Sequence, residues 1–281
     1  MGLDSLKGKC CLITGGAGVI GEAIARALAS YGINIAILDM DGEKSQKLAS
    51  ALERDYDIIG KGYSSNVLDK SILNKNLKEI LNDFNSFDFL INGAGGNSPK
   101  ATTSLEEILP ETEESDFEKS FFGLEVEGFQ HVFNLNFLGT LLPSMVFGKH
   151  LITRKSGAIV NISSMNSYRP LTKIPAYSAA KASVNNFTEW LSTHFAKTGV
   201  RVNAIAPGFI LTNQNRFLLI DKETEGLTER GNKIISNTPM GRFGEPEEMT
   251  GTVAYLLSDL AAFITGVTIP IDGGFSAYSG V

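Results

Sequence analysis

Residues 9–21 read Lys-Cys-Cys-Leu-Ile-Thr-Gly-Gly-Ala-Gly-Val-Ile-Gly, and this stretch decides the fold. Lys9–Ile13 is an apolar run of strand length, and Ile20–Ser30 behind it repeats its apolar residues with helical period. Between them Gly15, Gly16, Gly18 and Gly21 let the backbone approach a ligand closely where strand turns into helix. The start of a helix offers unpaired amides and the positive end of its dipole, so the turn suits a pyrophosphate.

The same rhythm runs outward along the sequence. Asn34–Leu38, Phe87–Ile91, Ala158–Ile162, Arg201–Ile205 and Val267–Ile271 read as buried strands, and a further strand is expected before Asn66. Glu43–Arg54, Lys70–Phe84, Phe137–Thr153, Ala176–Ala196 and Pro246–Ser258 have helical period. Regular alternation means parallel strands joined by helical crossovers. The expected fold class is therefore α/β, a Rossmann-type doubly wound parallel sheet in a single domain over residues 1–281. Two segments break the rhythm: an insertion at about 97–128, after the fourth strand, and a loop at about 209–238. Ligands of such sheets bind at the carboxyl ends of the strands, so both segments are candidate walls of a site, the second a candidate substrate loop.

The chain's formal charge is −6, and it is unevenly placed. Residues 101–130 hold nine carboxylates against one base, Lys119, so this stretch carries −8 and the remainder is net +2. Neither part is the basic stripe that a nucleic acid or an anionic membrane surface requires. The opening Met1–Lys9 is polar and lacks the apolar core of a secretory leader, and the long uncharged run His131–Gly148 is interrupted by Asn134, Asn136 and Pro143. Cys10 and Cys11 are adjacent, a spacing that suits neither an unstrained disulfide nor a metal, and the three histidines are isolated. The expectation is a cytoplasmic protein with no metal, no membrane segment and no nucleic-acid partner.

Asp39 ends the second strand, 18 residues after Gly21, where a carboxylate accepts hydrogen bonds from an adenosine ribose diol. Gly16, Ala17 and Met40 are all uncharged, so no base is at hand to neutralise a 2′-phosphate, and NAD is favoured over NADP. Asn66 and Val67 after the third strand, with Asn92, Ala94 and Gly95 after the fourth, fit the rim for adenine and ribose.

Tyr177 and Lys181 stand four residues apart at the start of a helix, one turn apart on one face. A free phenol ionises near pH 10 and is a poor acid or base at neutral pH; a neighbouring ammonium is expected to lower that value. Ser164, at the end of the strand Ala158–Ile162, is placed to hold a substrate oxygen while Tyr177 moves its proton.

Taken together, Thr14–Gly21, Asn92–Gly95, Asn136, Ser164, Tyr177 with Lys181, Pro207-Gly208 with Thr212, and Asp272-Gly273-Gly274 resemble the short-chain dehydrogenase/reductase family over nearly the full length. The resemblance implies that Tyr177 is the acid/base, that Ser164 orients the carbonyl or alcohol, that Lys181 tunes Tyr177 and binds the nicotinamide ribose, and that Asn136 supports a water-linked proton relay. It implies cofactor contacts from Gly15, Gly18, Val19, Ile20 and Gly21, and from Pro207, Gly208, Ile210 and Thr212, the last at the carboxamide. Three departures stand out: Val19 occupies the family's middle glycine position with Gly18 one place early, Gly93 replaces a usual asparagine, and Asn66 a usual aspartate.

The insertion looks about twenty residues longer than is usual in that family. Asn97, Lys100, Met165, Asn166, Lys173, Asn213 and Arg216 are the candidate substrate contacts, a polar and partly cationic set suited to a polyhydroxylated anion. The insertion and the ending Pro270–Val281 look similar to the D-mannonate oxidoreductases (fructuronate reductases) of that family, which implies hydride exchange between nicotinamide and the D-mannonate/D-fructuronate pair. Another sugar-acid or polyol dehydrogenase, of gluconate or 2-keto-3-deoxy-sugar-acid type, shares every catalytic and cofactor residue named. A catalytically silent NAD-binding regulator is the alternative of a different class. The uncharged stretch around Phe137–Phe147 and the apolar C-terminal region resemble the surfaces through which the family forms dimers and tetramers, so a homo-oligomer is expected.

Overall fold

The computed structural model describes residues 2–212 and 215–280; the expected contact Asn213 lies outside them. Seven parallel strands form one sheet in the order β3-β2-β1-β4-β5-β6-β7. They are β1 (Cys10–Thr14), β2 (Asn34–Asp39), β3 (Gly60–Ser64), β4 (Phe89–Asn92), β5 (Gly157–Ile162), β6 (Val200–Pro207) and β7 (Thr268–Ile271). Helices α1 (Val19–Ser30), α2 (Gly42–Tyr56) and α9 (Thr250–Leu257) cover one face through Ile24, Leu28, Leu48, Leu52 and Val253. Helices α3 (Lys70–Phe84), α5 (Gly139–Arg154) and α6 (Pro175–Phe195) cover the other through Leu73, Ile80, Phe147, Leu151 and Leu191. This is the expected doubly wound α/β sheet. Thr14 sits level with Leu38 on β2 and Asn92 on β4, so the glycine turn and both neighbouring strand ends open at one edge.

β3 is the strand whose bounds the hydrophobic pattern did not supply, and its composition explains why. It reads Gly-Lys-Gly-Tyr-Ser, with glycines where apolar residues would mark a strand. α2 lies so close that a side chain at Gly60 would put a Cβ 2.6 Å from the Ala49 carbonyl, and one at Gly62 would collide with the Gln46 backbone. Close packing here replaced the apolar signal.

The run expected as one helix, Phe137–Thr153, is the last part of a longer helical stretch. It begins with α4 (Val126–Phe133), passes through a π-turn at Asn134–Leu138 and continues as α5. The segment before α4 is three short 3₁₀ turns, and the 209–238 segment holds α7 (Arg216–Leu219) and α8 (Glu229–Ser236). Leu219 and Ile234 pack there with Phe243 in a small apolar cluster of their own.

At the opposite edge of the sheet Asp88 ties three segments together. Its carboxylate accepts from Cys10 N–H at 2.9 Å, from Arg154 Nη1 at 3.0 Å and from Lys9 Nζ at 3.4 Å, with the side chain only 12% exposed. Asp88→Ala leaves a largely buried amide without its acceptor and the Arg154 guanidinium with only the Phe87 carbonyl, and is expected to cost about 2–4 kcal/mol in urea unfolding. An unchanged midpoint would show the cluster to be idle.

Candidate active site

A cleft of about 710 Å3 opens at the carboxyl ends of the strands, lined from the glycine turn at one end to Thr212 at the other. At the turn, Gly15 has φ +62°, and a Cβ there would lie 2.8 Å from the Ala94 backbone; a Cβ on Gly21 would collide with the Gly15 carbonyl. Gly16 is required as well, since a Cβ there would lie 2.8 Å from the Ile13 carbonyl. Gly18 is the N-cap of α1 in an extended conformation and Val19 is its first helical residue, so the missing middle glycine falls where a β-branched side chain fits. The turn is held by Gly18 N–H to the Gly15 carbonyl at 3.1 Å.

Asp39 stands over the turn. Its Oδ2 accepts from Ala17 N–H and its Oδ1 from Asp41 N–H, both at 3.2 Å, which aims a half-buried carboxylate into the cleft. Met40 and Val67 line the same end. Asn66 and Asn92 do not. Asn66 Oδ1 caps Leu68 N–H at 3.0 Å. Asn92 is buried between strands, donating to Ser144 Oγ at 2.9 Å and to Asn161 Oδ1 at 2.8 Å, and Asn161 in turn donates to Thr188. Each asparagine side chain bonds to the scaffold through one atom, Asn66 through Oδ1 and Asn92 through Nδ2, and Asn92 Oδ1 is buried without a partner among the described residues. Gly93 and Asn215 line the cleft, as do Ser65 and Phe209, which were not expected.

β5 and α6 bring the reactive side chains together on the cleft floor. Ser164 follows β5 and is buried; its Oγ accepts from Asn166 N–H at 3.3 Å. Tyr177 and Lys181 project from the first turns of α6. Lys181 is 4% exposed, its Nζ donates to the Ile162 carbonyl at 2.8 Å, and it lies 5.6 Å from the Tyr177 ring centre. Burial lowers the ammonium to about 8. Burial also raises the Tyr177 phenol above its ordinary value, with the Ser164 hydroxyl pulling it back down. In the free protein loss of solvation dominates the phenol, while Lys181 turns its ammonium toward the Ile162 carbonyl.

Asn136 sits in the π-turn, fully buried. Its Nδ2 donates to the Gly96 and Val132 carbonyls at 2.7 and 2.8 Å, and its Oδ1 accepts from Gly96 N–H at 3.3 Å, so it anchors the strand of cleft wall that follows Ala94 and Gly95. Gly95 leaves the space in front of it open, since a Cβ there would lie 2.7 Å from Asn136 Oδ1 and 3.3 Å from Lys181 Nζ. Pro207, Gly208, Ile210 and Thr212 form the opposite wall. Asn215 fixes Thr212: its Oδ1 accepts from Thr212 N–H and its Nδ2 donates to the Ile210 carbonyl, each at 2.8 Å.

Of the expected substrate contacts, Asn97 lines the cleft. Lys100 does not: its ammonium is exposed and paired with Glu125 at 2.9 Å. Met165 is 2% exposed in the interior, and Asn166 is buried beside it with an unpaired Oδ1. Arg216 opens α7 on an exposed face, and Lys173 stands half-buried two residues before α6. Among the described lining residues, Asp39 and Lys181 supply the only charges.

The family model described as enoyl-(acyl carrier protein) reductase matches residues 15–276. The chain belongs to the short-chain dehydrogenase/reductase family. It is an oxidoreductase of that family. It is 49% identical over 282 residues to the uncharacterized oxidoreductase UxuB of Bacillus subtilis, covering 99% of this chain and 98% of the relative. It is 32% identical over 275 residues to the 2-dehydro-3-deoxy-D-gluconate 5-dehydrogenase of Pseudoalteromonas atlantica, covering 96% and 97% of the two proteins. A crystal structure from Haemophilus influenza with bound NAD, provisionally named a D-mannonate oxidoreductase, superposes with a TM-score of 0.93 at 48% identity, over 99% of this chain and 98% of that one. No described helix is long and apolar enough to cross a membrane.

Proposed function

We propose that this oxidoreductase uses NAD to interconvert a secondary alcohol and a ketone of a sugar acid, and that the pair is D-mannonate and D-fructuronate. The observation that carries the reaction type is the meeting of Ser164, Tyr177 and Lys181 on the floor of one cleft whose far end is the Gly15 turn and Asp39. The cleft suits the cofactor: a Cβ would fill the cradle at Gly15, and a carboxylate oriented by Ala17 stands at the diol end with no base among its neighbours in the turn. NAD supplies a two-electron acceptor for the hydride leaving the alcohol carbon. Tyr177 Oη takes the hydroxyl proton in oxidation and returns it in reduction, Ser164 Oγ holds the substrate oxygen, and Thr212, fixed by Asn215, faces the nicotinamide end.

The substrate assignment rests on likeness to the D-mannonate oxidoreductase structure and on the polar start of the insertion at Asn97. Free, buried Cys10 and Cys11 suit a cytoplasmic enzyme, and exposed Met145 and Trp190 on α5 and α6 suit a homo-oligomer. The test is a panel of hexonates, 2-keto-3-deoxy acids and neutral polyols, each with NAD and NADP, read by absorbance of the reduced cofactor. Turnover of D-mannonate with NAD is expected to exceed every other pair. Best turnover of a 2-keto-3-deoxy acid would move the assignment to that class, and turnover of polyols alone would end it.

A further inference from the structure

The two side chains that act on the substrate oxygen come from different elements. Tyr177 stands on α6, and Ser164 caps the short 3₁₀ turn Met165–Ser167 that follows β5. Proton transfer needs their oxygens at a set separation, so the serine turn must be held against the helix. Lys181 supplies one tie, from its Nζ to the Ile162 carbonyl at 2.8 Å. An ammonium that turns from there toward Tyr177 releases that tie.

Asn185 supplies the other. It lies one helical turn beyond Lys181 and two beyond Tyr177, on the same face of α6. Its amide reaches Ser164 from both sides. On one side, the hydroxyl of buried Ser163 donates to Asn185 Oδ1 at 2.5 Å. On the other, Asn185 Nδ2 donates to Ser167 Oγ at 2.7 Å, and Ser167 Oγ donates in turn to the Ser164 carbonyl at 2.6 Å. The residue before Ser164 and the carbonyl of Ser164 itself thus both hang on one helical side chain. The bond from Asn166 N–H to Ser164 Oγ is long at 3.3 Å, so the backbone chiefly decides where that hydroxyl stands.

The fold has other means of holding this segment. Ser163 N–H donates to the Ile205 carbonyl at 2.8 Å, and the Lys181 carbonyl lies 3.3 Å from the Ser163 hydroxyl as a second acceptor. Among the described hydrogen bonds, only that of Asn185 joins α6 to Ser167. What Asn185 adds is the placement of the turn that carries the catalytic hydroxyl.

We propose that Asn185 is the positioning residue that sets the separation of Ser164 Oγ and Tyr177 Oη, and with it the rate of proton transfer. The proposal rests on the reading of Ser164 and Tyr177 as the groups that act on the substrate oxygen, and is independent of which sugar acid is bound.

A double-mutant cycle with Asn185→Leu and Ser164→Ala tests this on the full-length protein. The readout is kcat for oxidation by NAD of D-mannonate, or of the best substrate of the panel where that is another. Leucine keeps the volume and removes both hydrogen bonds, so kcat is expected to fall about ten- to a hundredfold, with the KM for NAD unchanged. In protein already carrying Ser164→Ala, the same change is expected to cost less than about twofold more, because the hydroxyl it positions is gone. The pH at which oxidation levels off should also rise in Asn185→Leu, since the Ser164 hydroxyl pulls the Tyr177 phenol down. An equal fall in kcat with and without the Ser164 hydroxyl overturns the proposal, as does an Asn185→Leu variant at wild-type kcat. Ser167→Ala cuts only the arm to the Ser164 carbonyl and removes a single half-buried hydroxyl, so it carries the same cycle if the leucine variant does not fold; its expected loss is about three- to tenfold. Failure of the reading beneath the proposal is seen separately, as Ser164→Ala at full kcat before Asn185 is touched, and it takes the proposal with it.

Discussion

Tyr177→Phe is expected to lower turnover by about 10²- to 10⁴-fold and to leave the affinity for NADH unchanged. The substitution removes one hydroxyl and keeps the ring, which packs with Ala101, Val132 and Ala176, so the fold and the cleft walls stay in place. Single-turnover kinetics should place the loss in the chemical step. The pH dependence gives a sharper reading. Burial holds the phenol above its ordinary value. At neutral pH the free protein therefore carries Tyr177 in its protonated form, ready to donate in ketone reduction and short of base for alcohol oxidation. Oxidation should climb with pH, about tenfold per pH unit below the phenol's pKa, while reduction stays flat over the same range. The phenylalanine variant should lose that climb. If it retains more than about a tenth of the activity with the same slope, another group carries the proton.

Most of this site was legible because it is built from local rules. Tyr177 and Lys181 share a helix face by spacing alone, and Lys70–Phe84 is a helix bounded as its period indicated. Gly15 and Gly21 are glycines for reasons of contact that a strand-turn-helix pattern already implies. What stayed hidden depends on where side chains turn once the sheet is assembled. Asn92 faces the next strand because the parallel register sets it beside Asn161, a pairing invisible before the strand order is known. Asn66 is claimed by its own turn. Lys100 is claimed by Glu125, across the insertion. The role of Asn215 stayed hidden for the converse reason. It acts on the backbone of Ile210 and Thr212, and an asparagine just past a loop carries no pattern that announces such a clamp. The strand Gly60–Ser64 shows the same limit at the level of the fold: the packing that makes it a strand removed the side chains that would have revealed it.

Lys181→Met is expected to move stability and activity in opposite directions. The wild-type ammonium is almost fully buried with one hydrogen bond to a carbonyl, and no carboxylate lowers the cost of its charge. Burial brings it down to about 8, against the usual 10.5 of an exposed lysine. At pH 7 the charge is present in both the folded and the unfolded state, and holding it in the interior costs on the order of 3 kcal/mol. Methionine removes that cost and fills similar volume, but leaves the Ile162 carbonyl without its donor, which returns about 1 kcal/mol. The variant should therefore gain about 1–2 kcal/mol at pH 7, a rise of a few degrees in Tm for a protein of this size. The sign fixes the pH window. Between about 8 and 10.5 the unfolded state binds this proton and the folded state has lost it, so the wild type recovers stability as pH rises and the advantage of methionine shrinks. Unfolding by urea at pH 7, 8, 9 and 10 reads the trend directly. Turnover should fall by about 10²-fold or more, because no cation remains to favour the phenolate of Tyr177. A variant that is less stable at pH 7, with a gap that does not narrow toward pH 10, would show that Lys181 is held there by packing and hydrogen bonding strong enough to outweigh its lost hydration. The structural case for a functional lysine would then fail, because a charge kept at net cost to the fold is what distinguishes a working residue from a scaffolding one.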